Sequence, residues 1–135
     1  PPPSPIEGEG ANEFPMTSLI FPVHLAAALL GLVLGAVMLL RAKGDAPHRL
    51  LGRLWVAIMV VVALTSFGIT KNGHLSWIHG LSVITLISLV GGVWSIRRGN
   101  RRGHLAFMAG AYLGLLGAFA GTLAPGRFFG DFLWR

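Results

Sequence analysis

Four long apolar runs divide the chain: Leu19 to Leu40, Leu50 to Ile69, Leu75 to Ile96 and Leu105 to Ala124. The polar stretches RAKGDAPHR, TKNGH and RRGNRRGH separate them. Each run has about 20 residues, and ~1.5 Å of rise per residue makes that ~30 Å, enough to cross the hydrocarbon core of a bilayer. The first run is broken only by Pro22 and His24. Pro22 falls in its first turns, where a missing amide costs little, so a helix is expected from near Thr17 or Ser18 without a serious kink. Connections this short force neighbouring helices to run antiparallel. The expected fold is all-α: an integral membrane four-helix antiparallel bundle with both termini outside.

Three segments follow from this pattern. Residues 1–16 open with PPPSPIEGEGANEFP, which is proline-rich, acidic and free of apolar periodicity, and read as an extension, linker or scar. This stretch has neither the basic start nor the apolar middle of a signal peptide. Residues 17–126 form the four-span domain, and residues 127–135 an amphipathic tail expected to lie along the membrane surface.

Composition agrees with a membrane protein. Of 135 residues 53% are apolar and 12% charged, and the mean hydropathy is +0.68, values foreign to a soluble domain of this size. The absence of cysteine removes disulfides, thiolate metal sites and thiol catalysis. The formal charge of +6 suggests nucleic acid until the cations are located in short loops beside the apolar runs, where topology accounts for them; no nucleic-acid partner is expected.

The cations also set the orientation. Arg41, Lys43, Arg49 and Arg53 flank the first loop, and Arg97, Arg98, Arg101 and Arg102 the third. The second loop has only Lys71, and the C-terminal end only Arg127 and Arg135. The first and third loops are therefore expected on the cytoplasmic side of a bacterial inner membrane. Trp77, Trp94 and Trp134 fall near expected interfaces, whereas Trp55 lies deeper. Gly31 and Gly35, and the series Gly110, Gly114, Gly117 and Gly121, serve either close helix approach or the clearing of space for a flat ligand.

The chemistry-bearing residues are histidines. An imidazole inside an apolar span is costly unless it is paired or ligated. His24 and His79 lie at matching depths of ~6–7 Å from one membrane face, on spans one and three. His48 and His104 stand just before spans two and four at the other face, and His74 is a boundary residue. Two imidazoles from diagonal helices suit a b-type haem, and one pair near each face suits two haems in an electron path. The plain alternative is hydrogen bonding: His24 and His79 to each other or to a hydroxyl such as Ser76 or Ser82, and His48 and His104 as interfacial polar residues. Arginines near the inner pair, Arg49, Arg53, Arg101 and Arg102, suit haem propionates.

Other chemistries have less support. No acid falls inside a span, which disfavours a carboxylate proton relay or cation-coupled transport. A zinc or copper site lacks a third ligand unless His74 joins His24 and His79. Met38, Met59 and Met108 are expected to pack the core, and Ser66, Ser82, Thr65 and Thr85 to bond between helices. No catalytic residue is assigned.

The phrases FPVHLAAALLGLVLG, HRLLGRLW, WIHGLSVITL and GHLAFMAGAYLG resemble a bacterial DUF2306-like family of predicted four-span membrane proteins, over nearly all of Thr17 to Arg127. That likeness brings no activity with it. The histidine pattern resembles the two-haem membrane cytochromes typified by cytochrome b561, and implies His24 and His79 as axial iron ligands of one haem b and His48 and His104 of a second. Two functions are then expected: a b-type cytochrome-like electron-transfer protein, linked to quinone, or an accessory or scaffolding subunit of a larger membrane complex or homodimer. The lipid bilayer is a partner in either case.

Overall fold

The computed structural model describes residues 15–69 and 75–124. The expectations for the proline-rich extension, the C-terminal tail and His74 lie outside the described residues. Within them are four membrane-length helices: α1 (Pro15–Leu40), α2 (Ala46–Ser66), α3 (Trp77–Arg97) and α4 (Arg101–Thr122). At 21 to 26 residues each, they are ~31–39 Å long. They form a ring in chain order, with hairpins α1–α2 and α3–α4 packed most closely and the seams between hairpins less so. α1 and α3 are diagonal, as are α2 and α4.

Helix boundaries moved from their expected positions for local reasons. α1 starts at Pro15, a residue suited to a first helical position, so Pro22 is its eighth residue and the helix runs through it. α2 starts at Ala46 because the Asp45 carboxylate caps it, accepting the His48 backbone N–H at 2.8 Å, with Pro47 in the first turn. α4 starts at Arg101 because the Asn100 side chain accepts the Gly103 N–H at 2.9 Å. Both caps were readable as Asp and Asn placed ahead of a helix. His48 and His104 consequently stand in the first turns of α2 and α4, not before them. Gly44 and Gly99, at φ of 90° and 76°, make the left-handed turns of the two short loops.

The core is small. Ala27, Ala28, Trp55, Met59, Val62, Leu89, Ala111 and Leu115 are buried together, while Leu30, Val33, Leu64, Ile84, Ile87 and Val90 face outward. Such an apolar exterior is what a lipid-solvated bundle presents, and association inside lipid must then come from close packing and interhelical hydrogen bonds. α1 supplies a notch for both. The Trp55 indole N–H donates to the Gly31 carbonyl at 2.9 Å, and the Tyr112 hydroxyl to the Leu32 carbonyl at 3.0 Å. A methyl group at Gly35 would sit 2.5 Å from the Tyr112 ring and 2.9 Å from the Trp55 nitrogen.

The other expectations divide. Gly91 and Gly92 admit Phe107 and Met108 of α4, so close approach is real here too, although this pair drew no notice in the sequence. Met59, at 1% exposure, and Met108 pack as core residues, and Met38 lies against Gly52. Ser66 and Ser82 join α2 to α3 through their hydroxyls, and Thr65 bonds to His24 of α1. Trp77 and Trp94 are exposed at opposite ends of α3.

Gly35→Ala should lower stability by about 1–3 kcal/mol, the usual cost of overpacking. Gly110→Ala, where the added methyl meets nothing within 4 Å, should not. Thermal unfolding in detergent, followed by helical circular dichroism, compares them.

The Asp45 carboxyl is held below its ordinary value of 3.8, first by the His48 N–H and further by Arg41 at 3.3 Å. Its stabilisation is therefore complete above the ordinary carboxylate range and is lost as pH falls through the lower folded value. A melting series should show wild type losing stability below about pH 4 by a component that Asp45→Asn, which has no carboxyl at this position to titrate, does not show.

Candidate functional site

Histidine chemistry occupies both ends of the bundle. At the end formed by the start of α1, the end of α2, the start of α3 and the end of α4 lies a cavity of about 230 Å³. Its wall is mostly apolar, and its polar members are His24, the Ser66–Ser82 pair, Thr85 and Thr122, with the Trp77 indole at the rim. Gly114 and Gly121, seven residues apart on one face of α4, open the wall on that side; Gly110 and Gly117 face outward instead. Close helix approach is thus seen at Gly31 and Gly35, while Gly114 and Gly121 border the cavity.

His24 is half-buried, its Nδ1 2.9 Å from the Thr65 hydroxyl. That hydroxyl gives its own proton to the Val61 carbonyl at 2.6 Å, a helical back-bond, so the imidazole is the donor. His24 therefore has its proton on Nδ1 and a lone pair on Nε2.

His79 has the opposite arrangement. It is the third residue of α3, 5% exposed, and its Nδ1 accepts the Ser76 backbone N–H at 3.0 Å while Ser76 caps the helix. An Nδ1 that accepts leaves the proton of a neutral ring on Nε2. That Nε2 is buried and has no hydrogen-bond partner among the described residues. The Phe67 ring lies beside it, centroids 5.7 Å apart. The hydroxyl-bonding alternative applies to His24, though through Thr65, and the Ser76 contact of His79 is to backbone.

The first turns of α2 and α4 build the second site. His104 Nδ1 lies 2.9 Å from the Gly92 carbonyl. A carbonyl only accepts, so Nδ1 bears the proton and Nε2 has the lone pair. Gly92 lets α4 close enough for this bond. His48 is on the diagonal helix within electrostatic reach of His104, and its Nδ1 is buried without a partner. Around them are Arg41, Lys43, Arg49, Arg53, Arg97, Arg98, Arg101 and Arg102, with Asp45 the one acid among the described residues. Arg41 pairs with Asp45 at 3.3 Å yet keeps its Nε buried and unpaired.

These donor sets differ in their fit to haem iron. A ligating imidazole presents a lone pair and commonly donates its other N–H to a carbonyl or hydroxyl. His104 and His24 satisfy this, and His48 has an unsatisfied ring nitrogen to offer. His79 presents a proton for as long as Ser76 occupies its Nδ1. The pair His48 and His104 fits, with cations for propionates beside it; the pair His24 and His79 fits only if His79 leaves its cap. No group of three or more His, Asp or Glu suitable for a metal ion occurs among the described residues.

Sequence reasoning placed the four histidines two at each end but not their tautomers. The bond partners that fix these, Gly92, Thr65 and the Ser76 amide, have no signature of their own in the sequence.

No curated protein and no solved structure matches the chain. The family described as "Predicted membrane protein (DUF2306)" matches residues 21–129, a span that takes in all of α2, α3 and α4 and most of α1. The chain, with its four apolar helices and histidine-bearing ends, belongs to this DUF2306 family of membrane proteins.

Proposed function

We propose that the protein is a b-type cytochrome-like electron-transfer protein of the bacterial inner membrane, holding haem between His48 and His104. The observation that carries this reading is the His104 bond to the Gly92 carbonyl, which leaves the Nε2 lone pair available on one helix, while the diagonal helix offers the unpartnered nitrogen of His48. Bound haem would supply one-electron chemistry, with its potential tuned by ligation, burial and nearby charge. Arg49, Arg53, Arg101 and Arg102 offset the charge of two propionates at that end. The excess of cations at that end supports a cytoplasmic placement for it, and with it both termini outside.

The cavity at the other end supports a quinol as the reductant. Its volume is near the lower bound for small-molecule sites, about 300 Å³, and suits a single ring. The His24 Nε2 lone pair accepts a hydrogen bond from a ring hydroxyl, and the apolar wall excludes water from it. A second haem at His24 and His79 requires His79 to exchange its Ser76 contact for iron, so haem stoichiometry reads out the state of that cap.

Protein purified from a haem-replete host should show a reduced-minus-oxidised b-type spectrum with about one haem per chain. His104→Ala and His48→Ala should each abolish it, and His79→Ala should retain it. Colourless protein that co-purifies with a stoichiometric partner would overturn the reading and make this chain an accessory subunit.

A further inference from the structure

Between α2 and α3, away from both histidine sites, a groove of about 300 Å³ opens on the outside of the bundle. Val56 and Val60 of α2 and Leu86, Leu89, Val90 and Val93 of α3 line it, and Trp94 and Arg97 close one end. Val90 and Trp94 are 70% and 58% exposed, so the groove is open to whatever surrounds the protein.

Three properties identify its occupant. The first is depth. From Arg97 to Leu86 is eleven residues of helix, or ~16 Å, about half of a ~30 Å hydrocarbon core. The groove is one leaflet deep, the reach of an acyl chain rather than of a helix that crosses the membrane.

The second is charge at one end only. Arg97 continues the α3 stripe of Leu86, Val90 and Val93, and Arg53 continues the α2 stripe of Val56 and Val60 at i, i+3 and i+7. α2 and α3 are antiparallel, so the two arginines flank the same mouth. Both are exposed, and neither has a salt-bridge partner among the described residues, where Asp45 is the one acid and pairs with Arg41.

The third is an aromatic and cationic rim. The Arg98 guanidinium stacks over the Trp94 ring at 4.5 Å, a pairing suited to headgroup level.

We infer that this groove binds one anionic diacyl phospholipid from the leaflet at the arginine-rich end. An acyl chain lies along Val60, Leu86 and Val90, and the phosphate is held by Arg97 and Arg53. Basic sites between transmembrane helices recognise anionic headgroups in this way, and long arginine side chains reach up to the phosphate from within the apolar zone. The inference uses neither histidine pair, and Arg97, which lines the groove and has no part in the haem reading, separates the two; Arg53 is shared with the propionate end.

The test uses the full chain, delipidated in detergent, titrated with phosphatidylglycerol or phosphatidylcholine and weighed by native mass spectrometry. Wild type should retain one phosphatidylglycerol in preference to phosphatidylcholine. Arg97→Gln should weaken phosphatidylglycerol retention by roughly fivefold with phosphatidylcholine unchanged, and adding Arg53→Gln should weaken it further. Val90→Trp, at an exposed position, should exclude both lipids while the helical circular dichroism stays that of wild type. Equal retention of the two lipids by wild type, an Arg97→Gln variant that behaves as wild type, or a dimer whose formation Val90→Trp abolishes would each overturn the inference; the last would make the occupant a second copy of the chain.

Discussion

The ring is closed by two side chains that reach into α1: Trp55 from α2 to the Gly31 carbonyl and Tyr112 from α4 to the Leu32 carbonyl. α1 and α4 are the least closely packed neighbours, and Tyr112 makes a polar tie across that seam. Both donors need Gly35 to lack a side chain. In lipid, where apolar exteriors are already solvated, such close approaches and bonds replace the hydrophobic effect as the source of helix association. This clasp, together with the packing of Leu115 against Gly31 and of Ala27 and Ala28 in the shared core, sets the distance between α1, which carries His24, and the cavity wall on α4.

Much of the fold was legible because membrane physics constrains it so strongly. Spans of about 20 apolar residues with short polar connectors leave little choice but a helical hairpin pair. What the runs of apolar residues did not mark were helix starts, since α2 and α4 begin in polar sequence, at Ala46 and Arg101, where Asp45 and Asn100 satisfy the free amides. Weight given to caps rather than to hydropathy would have moved His48 and His104 inside their helices. The site was legible as residue types at two depths. Its protonation was not, because the Gly92 carbonyl that orients His104 is an ordinary helical carbonyl, made available by the absence of a side chain and by the register of α3 against α4.

The two ends of the bundle make different use of the same residue. At the arginine-rich end, eight cations against Asp45 leave a positive field that favours an anionic group. At the other end the described residues include no charged side chain, and the polar groups of the cavity are hydroxyls and imidazole in an apolar wall. A neutral ligand that both donates and accepts hydrogen bonds matches that end, whereas an anion does not.

His79 shows how tightly local and functional demands are coupled here. As the third residue of α3 it satisfies the Ser76 amide, one of the helix-start donors left without an intrahelical partner. That service fixes its proton on Nε2 and leaves a buried donor unpaired, which costs about 1–3 kcal/mol. Ligating iron through Nε2 would remove that unpaired donor but move the ring proton to Nδ1, where it would face the Ser76 N–H and leave two donors without a partner. The hydrogen bonding of His79 therefore favours its place in the cap over ligation.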